Sequence, residues 1–237
     1  MVSIMRREGR AIICGFLVLW GTTGMGLNAQ SKDLTSENAL ATLHRIDAAY
    51  AKIHDLQADF VQETRIAGFT TTLTSSGRVY LQKPGRLRWE YVEPTVEQIL
   101  VEGDAWSMYV PQHQQVVKGK VTNLTASKAP VALLQGVGKL AEQFDVVPPA
   151  PDLAQRDDLI WLTLIPKPHE REHATVTKIV VGVDPQTWLI RQLILHEASG
   201  NISTFRFTNI AVNRGLSAEV FTLAVPDDVV VVDAPTF

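Results

Sequence analysis

The chain has 237 residues, with 22 Lys and Arg against 25 Asp and Glu, a formal charge of −3 and a single cysteine. That charge balance excludes the basic footprint of a nucleic-acid binder, and one cysteine excludes an internal disulfide framework. The length is enough for one domain with a sizeable core.

Residues 1–29 read as a secretory signal peptide. Arg6, Arg7 and Arg10 make a basic start, Ala11 to Trp20 an apolar run, and Gly21 to Ala29 a small, polar stretch. The apolar run is too short to span a bilayer, which takes about 20 apolar residues. Cys14 lies inside it, so the mature chain is expected to carry neither a lipid anchor nor a disulfide. Cleavage after Ala29 leaves 30–237 as the mature domain, with a formal charge of −5.

Thr35 caps a predicted helix over 36–53, whose Leu40, Leu43, Ile46, Tyr50 and Ile53 form one apolar stripe. The period then changes from helical to alternating. Strands are predicted at 56–65 and 71–82, with Gly77 marking a bulge or a close approach. The third strand follows Lys83 and Pro84 and alternates Leu87, Trp89 and Tyr91 with Arg86, Arg88 and Glu90. Three large apolar groups therefore share one sheet face and the charges share the other. Further strands are expected at 97–102, 106–110 and 114–121, then short helices over 125–144 interrupted by Gly136 and Gly138. Beyond the proline break at 148–151 come strands at 159–165, 177–183, 188–196 and 201–210, joined by turn chemistry at Asp184-Pro185 and Ser199-Gly200. Phe221 and Val229 to Val232 finish the chain.

About ten strands with a few short helices make a mainly β fold: one antiparallel sheet that curls. The helices, too few for both faces, belong on the concave side, with an apolar space beneath them. Phe60, Tyr80, Trp89, Tyr91, Trp106 and Met108 are the aromatic and soft groups available to that face, as core or as ligand surface.

Catalytic signals are weak. His169-Glu170-Arg171-Glu172-His173 matches a zinc-peptidase pattern that requires a helix, so that both imidazoles face one metal. Pro166 and Pro168 before it and Thr175, Val176 and Thr177 after it make a loop between strands the better reading, with a zinc peptidase using His169 and His173 as a remote alternative. His44, His54, His113 and His196 are scattered. Asp157-Asp158 and Asp227-Asp228 are turn charges, and no nucleophile elbow or phosphate loop is present. No enzyme activity, cofactor or metal is expected.

Four segments carry a resemblance: Leu56 to Gln62; Gly77 to Trp89, similar to a basic-Pro-x-x-aromatic-x-Trp hallmark with Leu87 at the aromatic position; Glu93-Pro94 followed by Ile99 to Gly103 and Trp106 to Pro111; and Ala129 to Gly136. In order and spacing they resemble the LolA family of periplasmic lipoprotein carriers. The resemblance implies an incomplete, unclosed antiparallel β-barrel with a lid of short α-helices over its concave apolar face. It implies acylated lipoproteins as cargo, a LolCDE-like inner-membrane ABC-type release complex, a LolB-like outer-membrane receptor, and a monomer in the periplasm. Phe60, Tyr80, Leu87, Trp89, Tyr91, Trp106, Met108, Leu133 and Leu134 become the expected lipid-binding residues, with a carboxylate at Leu87 expected to spare the fold. Lys83, where the family often has Arg, is expected to bond the backbone of a lid at Pro130 to Gly136. A related module that binds other lipids or senses envelope stress is the alternative on the same fold.

Overall fold

The computed structural model describes residues 36–121, 140–154, 158–168 and 175–234. Helix α1 (Ser36–Ala51) is followed by β1 (Asp55–Arg65), β2 (Thr72–Gln82), β3 (Arg86–Glu93), β4 (Glu97–Glu102), β5 (Ala105–Val110) and β6 (Gln115–Lys120). After the helical turn α2 (Leu140–Gln143) come β7 (Phe144–Val147) and the helical turn α3 (Pro151–Ala154). The chain then forms β8 (Ile160–Pro166), β9 (Val176–Val183), β10 (Ile190–Glu197), β11 (Ile202–Val212) and β12 (Val230–Asp233).

The twelve strands make one sheet in the order β12-β6-β5-β4-β3-β2-β1-β11-β10-β9-β8-β7. Sequence neighbours pair as hairpins, and β1 closes the two halves by pairing with β11, Phe60 opposite Phe207. The two edges, β12 and β7, leave the barrel open. Leu34–Phe237 is a single compact unit, so the proline break does not divide domains.

Three expectations are corrected. Phe144, read as helical, begins β7, an edge strand of four residues. The chain's end adds a twelfth strand, and β12 runs parallel to β6, so the sheet is mixed rather than purely antiparallel. The parallel pairing arises because the chain leaves β11 and crosses the convex face before joining β6. Asp55 anchors that crossing, its carboxylate accepting the backbone N–H groups of Arg214 at 2.8 Å and Gly215 at 2.9 Å. Farther along, Arg88 on the outer face of β3 donates to the carbonyls of Val220 at 2.8 Å and Thr222 at 2.9 Å, and pairs with Glu90. A guanidinium suits this place because its planar fork bonds several acceptors at once.

One hydrophobic core lies on the concave side. It joins Leu43, Ile46, Tyr50 and Ile53 from α1 and its C-terminal end to inward residues of most strands. Helical spacing puts the α1 residues on one stripe, and burying each large apolar side chain contributes roughly 1.5–3 kcal/mol.

Candidate functional site

Alternation builds the inner face strand by strand. On β3 it presents Leu87, Trp89 and Tyr91, with Val101 and Ile99 of β4 opposite the first two. Trp106 and Met108 of β5 lie next in line, opposite Val101 and Ile99. Toward the other side stand Leu81, Val79 and Gly77 on β2, Leu56, Ala58 and Phe60 on β1, and Phe207 and Phe205 on β11. Phe60 and Trp89 pack with centroids 4.5 Å apart, Phe60 meets Tyr91 edge-on at 5.2 Å, and Trp89 meets Phe205 edge-on at 5.7 Å. Aromatic quadrupoles favour such tilted and edge-to-face geometries over flat stacking.

Gly77 makes this cluster possible. A β-carbon there would stand 1.7 Å from the Glu90 carbonyl oxygen and 2.9 Å from Cζ of Phe60. The pairing of β2 with β3 shifts register at this point, as the sequence predicts for a glycine within a strand.

Helix α1 packs onto this face and is fastened at its C-terminal end. The Lys83 ammonium donates to the carbonyl of Tyr50 in the last helical turn, where four carbonyls lack intrahelical partners. The Tyr50 hydroxyl accepts the Ile190 N–H at 3.3 Å. Burial pushes the Tyr50 phenol up to about 12, only partly offset by that backbone bond. Asn213 Nδ2 donates to the Lys52 carbonyl at 3.2 Å, and the Arg45 guanidinium lies 5.0 Å from the Trp188 ring centroid.

A scan of family models matches residues 51–224 to "Outer membrane lipoprotein carrier protein LolA". The chain belongs to the LolA family. A protein of Methylobacillus flagellatus named outer-membrane lipoprotein carrier protein is 23% identical, covering 91% of this chain and 92% of its own. One of the same name from Bordetella avium is 29% identical over 79% of this chain and 85% of its own. Among solved structures, an uncharacterized conserved protein of Thermus thermophilus aligns with TM-score 0.51 at 12% identity, covering 83% of this chain and 99% of that one. A DUF1329 family protein of Desulfovibrio piger aligns with the same TM-score, 0.51, at 15% identity, covering 79% of this chain and 97% of that one. At such identity these two structures speak to the fold alone.

Set beside the lipid site expected from LolA resemblance, the structure brings Phe60, Leu87, Trp89, Tyr91, Trp106 and Met108 together on one concave face. Tyr80 does not join them. It pairs with Gln57 and Arg88 across its neighbours and so has the opposite parity to Val79 and Leu81. Its ring lines a polar hollow on the convex side with Asp59, Arg78 and Asn209, where Asn209 donates to Asp59 at 2.7 Å. Leu133 and Leu134 lie outside the described residues, as do Pro130 to Gly136, His169 and His173. The Lys83 side chain bonds α1, and its expected bond to the 130–136 segment lies outside the described residues.

Leu87 is 0% exposed, and Phe60 and Trp89 are 1%. Leu87 is therefore core in this conformation, and a carboxylate there is expected to threaten folding, contrary to the expectation that the fold would tolerate it. Phe205, Phe207 and the α1 stripe belong to the same cluster and were not among the expected site residues. The alternation of Ser203, Phe205 and Phe207 around Arg206 carries the signal for the first two. Among the described residues no group of three or more His, Cys, Asp and Glu is placed to hold a metal, and no helix is long and apolar enough to cross a membrane.

Proposed function

We propose that this LolA-family chain is a periplasmic carrier that shelters the acyl chains of lipoproteins on the concave face of its sheet. The observation that supports this most is a continuous apolar face, rich in aromatics, whose cluster includes the buried stripe of α1, a helix that polar contacts hold at its C-terminal end. Such a helix can be exchanged for another apolar body. Undocking α1 exposes Leu43, Ile46, Tyr50 and Ile53, at a cost of roughly 6–12 kcal/mol by area bookkeeping. An acyl chain that buries a dozen methylenes recovers on the order of 10 kcal/mol. One chain about balances the displaced helix, and a second makes loading favourable. The exchange stays reversible because the two sides are of similar size.

On this reading, residues 1–29 direct export and are removed. The mature monomer receives cargo from an ATP-driven inner-membrane release complex and passes it to an outer-membrane receptor. No covalent step is required of any residue. Residues 30–237, incubated with inner-membrane vesicles holding the release complex, an acylated lipoprotein and ATP, should bring that lipoprotein into the supernatant as a soluble complex. Lipoprotein that stays with the vesicles in the presence of active release complex overturns the proposal.

A further inference from the structure

The concave face is apolar toward one end of the strands and polar toward the other. Along β1 the inward residues run Leu56, Ala58, Phe60 and then Gln62 and Thr64. Along β11, Phe207 and Phe205 give way to Ser203, and on β10 Leu193 and Leu195 give way to Glu197. On β3, Leu87 and Trp89 lead to the phenol of Tyr91. These strands are contiguous through β2, whose inner positions run Leu81, Val79, Gly77 and Ser75. The change of character therefore crosses five neighbouring strands, all toward the end bearing the β1–β2 hairpin.

The polar groups form a directed ladder. The Tyr91 hydroxyl donates to Gln62 Oε1 at 2.8 Å, and Gln62 Nε2 donates to Thr64 Oγ1 at 3.0 Å. Thr64 Oγ1 and Ser203 Oγ stand 3.1 Å apart, and Ser203 donates to Glu197 Oε1 at 3.4 Å. Ser203 has one hydroxyl hydrogen and gives it to the carboxylate, so Thr64 is the donor to Ser203. Glu197 Oε2 in turn accepts from Ser199 at 3.2 Å and Asn201 at 3.3 Å. Ser203 is 0% exposed and Gln62 8%. Burial raises the Tyr91 phenol above its ordinary range, so the ladder begins with a neutral hydroxyl.

A ladder of neutral donors sunk beside an aromatic box is costly to build into a plain core, where apolar residues of similar size serve as well. We infer that Gln62, oriented by Tyr91, forms a subsite for the ester and amide carbonyls that join acyl chains to a lipidated cysteine, with the chains lying along Phe60, Trp89 and Leu87. This rests on the carrier reading and adds a direction to it: hydrocarbon toward the α1 end, carbonyls and peptide toward the hairpin end. Gln62 suits the role because its amide carries a second N–H beyond the one given to Thr64. A carbonyl has acceptors only, and the donor it meets is that second N–H of Gln62; the Tyr91 hydroxyl, whose one hydrogen goes to Gln62 Oε1, holds the amide in that orientation.

The mature chain is titrated with two probes, a synthetic triacylated cysteinyl peptide and diphenylhexatriene, a hydrocarbon fluorophore with no hydrogen-bonding atom. Gln62→Leu should weaken the peptide by about tenfold and leave the fluorophore within about twofold. Tyr91→Phe, which keeps the ring and removes only the hydroxyl, is measured in parallel, and circular dichroism establishes that each variant is folded. If Gln62→Leu fails to fold, Tyr91→Phe decides by the same criterion. Unchanged peptide binding in a folded variant overturns the subsite and leaves the carrier reading standing, as does an equal loss for both probes. A wild-type chain that binds neither probe overturns the carrier reading and the subsite with it.

Discussion

Replacing Ile46 with Ala separates a lid from a plain core helix. Ile46 lies in the α1 stripe, is buried and belongs to the concave cluster. Truncating a buried isoleucine to alanine costs about 2–5 kcal/mol, as lost transfer energy plus the cavity left behind. The loss falls on the state in which α1 is docked. If lipid binds only after α1 leaves the face, the docked state competes with the ligand, and apparent affinity scales with the open fraction. Two kcal/mol removed from the docked state then tightens apparent lipid binding by about 30-fold, while the melting temperature of the empty protein falls. Stability and affinity move in opposite directions, which few core mutations achieve. Thermal melting of the lipid-free protein and fluorescence titration with an acyl probe, both on Ile46→Ala, give the two numbers. Weaker lipid binding alongside the lower melting temperature would refute displacement of α1, and the site would have to be sought elsewhere on the molecule.

The fastening of that helix gives a milder version: Lys83→Leu removes one charged hydrogen bond to the Tyr50 carbonyl and should tighten acyl-probe binding by about fivefold, with little change in circular dichroism. Gly77→Ala should lower the melting temperature sharply or abolish soluble expression, because its β-carbon meets the Glu90 backbone at 1.7 Å and backbone cannot swing aside. For Tyr50, the phenol is raised to about 12 in the folded state from the ordinary value near 10. Its contribution to stability is full below about pH 10 and falls away as pH rises through the folded value. Denaturant midpoints for wild type should therefore drop more steeply between about pH 10 and 12 than those of Tyr50→Phe, and parallel curves would show that the burial is not felt in solution.

Much of the sheet was legible because alternation and turn chemistry act locally. The change from helical to alternating period at Ile53 marks the end of α1 and the start of β1, and Asp184 closes its turn by accepting the N–H of Gln186 at 3.0 Å and of Thr187 at 2.8 Å. The charges of β3 fall on the outer face as their parity requires, where Arg88 gains partners from residues more than a hundred positions away. Those partners are tertiary and leave no local trace. The edge strands β7 and β12 escaped notice or direction because four residues carry too little pattern, and because parallel pairing depends on the path of the preceding segment. Tyr80 shares the aromatic character of the inner residues but not their parity. Val79 and Leu81 on either side already claim the inner face, and alternation alone sends Tyr80 outward. The place of α1 in the concave cluster was hidden for another reason. An amphipathic stripe shows that a helix is buried, without showing what it is buried against.

The central claim concerns cargo, and what travels with the protein addresses it most directly. The mature chain, isolated from the periplasm of its own cells without detergent and analysed by native mass spectrometry, should carry one acylated lipoprotein per molecule in a fraction of the population. That complex should be lost from a strain in which lipoprotein acylation is blocked. Recovery of the protein only in empty form, or only with free lipids, from cells making acylated lipoproteins and an active release complex would contradict the account.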